Sequence, residues 1–572
     1  MKSRNKTFIS SKYFSMLRSG TVLMALTAIM GIADTLIAGI MLGETAVAGI
    51  CLVLPVYSLA SFFAVFFSYG VPILYAGKMG AFQKEEATRC FGVGLTVSFV
   101  LGIIMFFAIL FGGEAFLTAY HPDLQVYDCA SDYLGWMKYT VLVLPLNELL
   151  DGMLFADGDE SVSLTANLAQ GVVKIVLSIV LCLNMGVKGL AIASFISLVI
   201  SICISFFHFF RPGNTLRLNL AFSLTLLWEI MKYGIVDAST HLSVSLFSVI
   251  INHFVLRHFG SEMLILVSVI TLIKEAQILF EGIGEAITPL ISVYYGEECG
   301  PGIRKIWGLA LKSVRIESLF ATIFLIIFAP LIVGLTGVEN ADTAVYMTWG
   351  LRIMSLTQYF SCRLFLDSSY FILVDKIRLG VLDSILRDLF PSVLLAVLGG
   401  ITGGIYGMYI GMMIAPALGY MLSVLYIRHK YGRGNYPLLL EEMEREKNVR
   451  MFEFCVLPDS ITDVRDQIHE ALTESGCSER VTKRTMLIFE ELFMLIYDHN
   501  PGSLVHAECL VEIGETIRLI TKDDGQIVNL TDTDSKVVSL RSYALSNLLE
   551  SHTSRRIHSL AISYNHNTME IQ

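Results

Sequence analysis

A chain of 572 residues that is 54% hydrophobic, only 16% charged and of mean hydropathy +0.64 does not have the composition of a soluble globular protein. Its net charge of -10 combines acids gathered toward the C-terminus with basic residues beside apolar runs, which speaks against nucleic acid as a partner. Ten cysteines contain no CxxC pair, so neither a disulfide framework nor a zinc site is expected.

The lysine-rich start leads into an apolar run too long for the h-region of a signal peptide, and no small-residue cleavage site follows, so the first span is expected to be retained. About 20 apolar residues of helix cross a bilayer core. Twelve stretches satisfy this: 14–42, 47–77, 90–113, 131–156, 163–184, 187–210, 226–257, 263–294, 305–336, 343–373, 379–400 and 405–427. Lys2, Arg4, Lys6 and Lys12 precede the first. Lys78, Lys84 and Arg89 follow the second, Arg211 and Arg217 the sixth, Arg304 and Lys305 the eighth, Lys376 and Arg378 the tenth, and Arg428, Lys430 and Arg433 the twelfth. The opposite loops offer little beyond Lys188 and Arg257, so both termini are expected in the cytoplasm of a cell with this protein in its inner membrane.

The spans also repeat at an offset of about 215 residues. Tyr133-x-x-Trp136 recurs as Tyr346-x-x-Trp349, Arg89 to Gly92 falls against Arg304 to Gly308, Gly80 against Gly296, and Gly186-x-x-Gly189 against Gly404-x-x-Gly407. Two parallel six-helix lobes follow, 1–218 and 219–430, an arrangement used by transporters that bind between the halves. The expected fold class is an all-α membrane protein of twelve helices, followed by a charged linker over 431–449 and a small α+β domain over 450–572.

Several stretches in the membrane part resemble the multidrug and toxic compound extrusion (MATE) transporters. They are Ala33-Asp34-Thr35-Leu-Ile-Ala-Gly39, Gly70-Val-Pro72 through Gly77-Lys-Met-Gly80, Lys84-Glu-Glu-Ala87, and Gly282-Ile-Gly284 through Pro289 to Tyr294-Tyr-Gly296, in a match covering about 10–427. The resemblance implies a cation-driven exporter with a cavity between two six-helix bundles. It also implies that Asp34 couples protons or sodium ions to export. A carboxylate inside the bilayer must be paired, protonated or in contact with water. Burial disfavours its charged form, and access to water on alternate sides lets it load and release a proton. Thr35 is a neighbouring hydroxyl available to it. The family's Asn-x-x-x-Asp pair in the fifth helix reads Lys174-Ile-Val-Leu-Ser178 here, and Lys174 and Ser178 share a helical face. A Lys174–Asp34 ion pair would hold the acid ionised.

The matching place in the second half is Ile251 beside Asn252, so the cation chemistry is expected in one lobe only. Candidate cavity residues are Asn252, Glu281 and Glu285, one turn apart, and Arg363 and Asp367, which have the spacing of a helical ion pair. Lys274 and Glu275 are expected in lobe packing or at a cavity rim.

In the tail, a strand is expected over 451–457, helices over 460–475 and 479–498, and strands over 505–513, 516–521, 559–564 and 568–571. Glu491, His499, Asp523-Asp524-Gly525 and Tyr564-Asn-His-Asn567 resemble the anti-sigma-factor branch of histidine-kinase-type ATPase domains. That likeness implies that Asp524 would contact adenine. The family's magnesium-binding asparagine is Leu495, and 535–558 contains no glycine for a lid, so a degenerate regulatory or docking module without ATPase activity is expected. No catalytic residue and no cofactor are expected beyond a coupling proton or sodium ion. The expected function is export of a small organic compound, with the bilayer, that substrate and a cytoplasmic protein at the tail as partners. A lipid-linked glycan flippase, or a membrane sensor relaying to the tail, are the alternatives.

Overall fold

The computed structural model describes residues 7–68, 70–80, 84–120, 122–157, 159–211, 214, 216–432, 436–440, 448–514, 516–526, 541, 544–545, 548–549, 551–558 and 563–571. Most of the expected charged linker, including 441–447, and most of the glycine-free stretch within 535–550 lie outside them. The chain separates into two compact units, one of Thr21–Gly284 with Val314–Tyr426, the other of Met1–Gly20, Glu285–Ser313 and Ile427–Gln572.

Among the described residues, fifteen α-helices precede the tail. The first seven are α1 (Phe8–Leu42), α2 (Glu44–Ser68), α3 (Gly70–Gly80), α4 (Lys84–Ala119), α5 (Leu124–Ala156), α6 (Glu160–Met185) and α7 (Val187–Phe206). The rest are α8 (Leu224–His258), α9 (Leu266–Ile278), α10 (Glu281–Gly296), α11 (Gly300–Gly334), α12 (Ala341–Ser355), α13 (Gln358–Leu373), α14 (Ile377–Asp388) and α15 (Phe390–Tyr431). They account for the twelve expected spans, because α2 with α3, α9 with α10, α12 with α13, and α14 with the first part of α15 each form one interrupted span. Nine stretches among the described residues are long and apolar enough to cross a membrane. The shortfall from twelve has three causes: acids dilute α5, α12 and α13 are each too short alone, and two crossings run together in α15.

One of the matches seen in the sequence, Gly186 with Gly404, is also a match of backbone geometry. Gly186 has φ 60° and ψ -140°, and Gly404 has φ 62° and ψ -149°. An L side chain rarely enters that region, so each glycine lets two helices fold back on themselves. Gly189 and Gly407 then permit contact, since a Cβ would lie 2.4 Å from the Leu181 backbone or 2.1 Å from the Gly399 carbonyl oxygen.

In the larger unit, α2 packs along α8 through Val47, Ile50 and Cys51 against Ile251, Phe254 and Val255, all buried. Pro55 lies inside α2 and has no N–H, which leaves the Cys51 carbonyl without its helical donor. Asn252 Nδ2 supplies one at 3.1 Å, and Ser245 Oγ donates to the Pro55 carbonyl at 2.9 Å. Asn252 is fully buried and serves this seam.

The second unit contains the tail and the ends of several membrane helices. The tail comprises β1 (Asn448–Cys455), α16 (Pro458–Glu474), α17 (Glu479–His499), β2 (His506–Ile513), β3 (Ile517–Asp523), β4 (Ser551–His558) and β5 (Ser563–Ile571). The strands form one antiparallel sheet in the order β1-β2-β3-β5-β4. Both helices and the first three strands lie close to their expected places. The last two strands differ: β4 ends before the expected 559–564 strand, part of which is outside the described residues, and β5 joins Tyr564 to Ile571 without a break. One sheet face buries Ala507, Cys509, Val511, Leu519 and Met569 with Ile461, Ile468, Phe489 and Phe493 of α16 and α17.

Candidate functional site: a buried acid on the first helix

Asp34 occupies the middle of α1 and is 5% exposed. The Tyr133 hydroxyl of α5 donates to its Oδ2 at 2.8 Å, and Ser194 Oγ of α7 donates to the same oxygen at 3.2 Å. Lys174 Nζ of α6 lies 3.5 Å away and donates to the Met30 carbonyl at 2.9 Å. All these partners crowd onto Oδ2. Oδ1 is buried and has no hydrogen-bond partner among the described residues. A buried carboxylate oxygen without a donor is costly, and a proton or a bound cation relieves that cost.

Lys174 therefore lies beside the acid. Ser178 Oγ is buried without a hydrogen-bond partner among the described residues, and Thr35 is buried beside the acid in sequence. Tyr133 drew attention in the sequence only as half of the Tyr-x-x-Trp repeat, and Ser194 had no pattern to mark it. Two further acids of α5 also escaped notice, although charge is conspicuous in an apolar span. Asp151 accepts from Ser163 Oγ and, at 3.0 Å, from Asn167 Nδ2. Glu148 lies one turn earlier.

Charge is not confined to the first half. Arg363 Nη2 is 3.0 Å from Asp367 Oδ1 in α13, as their spacing implied, and its guanidinium lies 5.8 Å from the Tyr420 ring centroid. Asp388, at the end of α14, pairs with Lys274 and, at 2.6 Å, with Arg387 Nη2. Asp383 is fully buried one turn before Arg387. These groups gather where α13 follows a break at 356–357 and where α14 gives way to α15, so irregular backbone and buried charge occur together, as they must in a dry interior. Glu281 is half-buried at the start of α10, and Glu285 is exposed one turn on.

Residues 21–180 match the family model MatE. Over a wider range, the chain is similar to the inward-facing structure of a multidrug resistance MATE family transporter of the MOP superfamily, with TM-score 0.64, 19% identity, and 73% of this chain and 96% of that one covered. The fold is that of a MATE transporter. An outward-facing structure of a multidrug resistance MATE family transporter gives TM-score 0.62 at 20% identity, covering 76% and 96% of the two chains. A MOP superfamily transporter from Pyrococcus furiosus, whose binding pocket of reverse polarity suggests a different function for that protein, gives TM-score 0.61 at 19% identity, covering 73% and 95%. No curated protein matches the chain. Within the MATE fold, Asp34 lies in the part that matches the family model.

The nucleotide-like residues of the tail are engaged separately. Glu491 pairs with Arg541 at 3.0 Å, and His499 Nδ1 is 2.9 Å from the Leu495 carbonyl. Asp524 Oδ1 accepts from the His506 N–H at 2.7 Å, with Lys12 Nζ 3.7 Å from Oδ2. Gly525 packs so closely that a Cβ would meet Asn500 at 2.9 Å, and Asn567 is buried in the sheet with its Nδ2 3.5 Å from Thr521 Oγ1. Among the described residues no group of acids, histidines and cysteines is arranged to hold a metal ion.

The sheet face opposite α16 and α17 carries a different feature. Glu453, Glu508, Lys522 and His566 are cross-strand neighbours on β1, β2, β3 and β5. Each meets the end of a membrane helix within the same unit. Lys305 pairs with Glu453, and the Tyr294 hydroxyl donates to Glu508. Glu297, just past α10, accepts from Lys522 at 2.6 Å and lies 2.7 Å from His566 Nε2. The Lys522 ammonium is also 3.7 Å from the Tyr294 ring centroid. From α1, the Ile9 N–H donates to Glu453 at 3.2 Å, and Phe8 meets Tyr564 edge-on with centroids 5.7 Å apart.

Proposed function

We propose that the chain is an antiporter that exports a small organic compound across the cytoplasmic membrane, driven by protons or sodium ions that load at Asp34. The observation that carries this reading is the pairing of Asp34: two hydrogen bonds and an ion pair on Oδ2, and no partner among the described residues on a buried Oδ1. The bare oxygen is the loading point, and Lys174 neutralises the acid when the ion has left. The test is flux in liposomes under an imposed pH or sodium gradient, with a panel of fluorescent organic cations and anions as probes. Asp34→Asn should abolish gradient-driven flux in a correctly inserted protein. Equal flux in the variant would refute the assignment.

The tail is regulatory in this reading, with both termini in the cytoplasm. Its charged row holds the start of α1 together with the end of α10 and the start of α11, and rocking of two lobes must separate elements of this kind. Ending the chain at 447 should therefore change the rate or its control without stopping flux. The same row also favours a second reading, a membrane sensor relaying to the tail, which ligand binding without flux would select.

A further inference from the structure

Glu275, on α9 of the second half, reaches the helix that carries Asp34. A Cβ built on Gly31 of α1 would fall 2.1 Å from Glu275 Oε2, so the carboxylate rests directly on the bare surface of that glycine. Gly31 precedes Asp34 by three residues, which places both acids along one face of α1. Lys174 is bonded to the Met30 carbonyl, next to Gly31 in the chain, and is 3.5 Å from Asp34, so it lies beside both Asp34 and the residue on which Glu275 rests. Glu275 Oε2 is buried with no hydrogen-bond partner among the described residues. The other titratable groups on neighbouring elements are Glu281 of α10, Tyr57 of α2 and Glu148 of α5. One ammonium therefore lies beside two carboxylates from different halves, and it cannot satisfy both fully at once.

We propose that Lys174 is exchanged between Asp34 and Glu275 during the cycle, making Glu275 the positioning residue that reports ion occupancy at Asp34 to the second half. This rests on the reading of Asp34 as the coupling acid. When a proton or sodium ion enters at Oδ1, Asp34 becomes neutral and its hold on the ammonium falls. Lys174 then turns to Glu275 and draws α9 toward α1 and α6. The three groups then change from a net charge of minus one to zero. Loss of the ion restores Asp34 as the stronger partner.

The experiment measures the distance between the halves and needs no substrate. Spin labels carried on non-canonical amino acids replace exposed Leu183 at the end of α6 and Leu331 near the end of α11, in the full chain in nanodiscs. Lowering the pH from 8 to 5.5, or adding sodium, should shift the wild-type distance distribution. Asp34→Asn should show the ion-loaded distribution throughout, Glu275→Gln should lose the shift, and Glu275→Asp should keep part of it. Gly31→Ala, whose methyl displaces the carboxylate, should behave like Glu275→Gln. A wild-type protein that never shifts, or Glu275→Gln shifting as the wild type does, overturns the proposal. Flux separates it from the antiport reading: loss in Asp34→Asn with full retention in Glu275→Gln would leave antiport standing and remove the exchange.

Discussion

Replacing Lys522 with methionine keeps most of the side-chain stem and removes only the ammonium. That ammonium is 1% exposed, 2.6 Å from Glu297, 3.4 Å from Glu508 and above the Tyr294 ring. Breaking a buried pair by deleting one partner costs about 3–5 kcal/mol, because the remaining carboxylates lie buried and uncompensated. At about 1.4 kcal/mol per factor of ten, the sheet should open a hundredfold or more as often, up to the limit set by unfolding of the whole unit. Hydrogen exchange of the full chain in nanodiscs reads this directly at 506–513 and 517–523, with α4 and α5 as internal controls. Glu297→Gln should do less, since Lys522 keeps Glu508, and the double variant should fall well short of the sum. Exchange in Lys522→Met within about threefold of the wild type would refute the view that this row holds the tail in place.

The same row sets a pH window. Burial pushes the Glu297 carboxyl up, but the hydrogen bond from His566 and the charge and hydrogen bond of Lys522 outweigh it and hold it below its ordinary 4.5, so its contribution is present above that value and lost as pH falls through the lowered one. Burial alone would lower Lys522, yet Glu508 and Glu297 raise it above 10.5, so its contribution is complete below that value and lost as pH rises through the raised one. Glu508, raised by burial, acts in the opposite sense and weakens the fold as pH climbs from 4.5 to its own higher value. From Glu297 and Lys522, the protection factors of the docked sheet should fall as pH drops below 4.5 and again as it rises above 10.5. Tyr133→Phe removes a hydrogen bond to a charged acceptor, worth about 1.5–3 kcal/mol, and should slow gradient-driven flux by roughly tenfold or more. Asn252→Leu leaves the Cys51 carbonyl bare and should destabilise the detergent-solubilised protein by about 1–3 kcal/mol, read as a fall in Tm. Gly404→Ala forces a side chain into a glycine conformation at a cost of about 1–3 kcal/mol and should lower Tm similarly, whereas Gly403→Ala should not.

The spans and the repeat were legible because their signals are local: run length, and glycines at matching offsets, of which Gly186 and Gly404 differ by 2° in φ and 9° in ψ. The breaks were hidden. Leu279-Phe280 and Leu356-Thr357 interrupt helices within apolar runs, with no proline at the break to announce it. Asp34 and Lys174 could be found because charge stands out in lipid, and by the same logic Asp383, Arg387 and Asp388 should have been found within 379–400. The role of Asn252 follows from Pro55, 197 residues away, through a carbonyl that no pattern displays. β4, which includes Ser551-His-Thr-Ser-Arg-Arg, lacks apolar alternation, and its pairing with β5 makes it a strand. The charged row depends on register across four strands, which hydropathy along a single strand cannot reveal.

Phe8, Ile9 and Tyr13, near the start of α1, are covered in a unit whose last strand ends at Ile571. β5 follows Phe8 by about 555 residues, so these turns of α1 must wait for that whole length to be synthesised before their packing partners exist. A stalled or nicked product would carry all its membrane spans yet display an uncovered aromatic cluster at its entrance, the kind of surface that chaperones and quality-control proteases recognise.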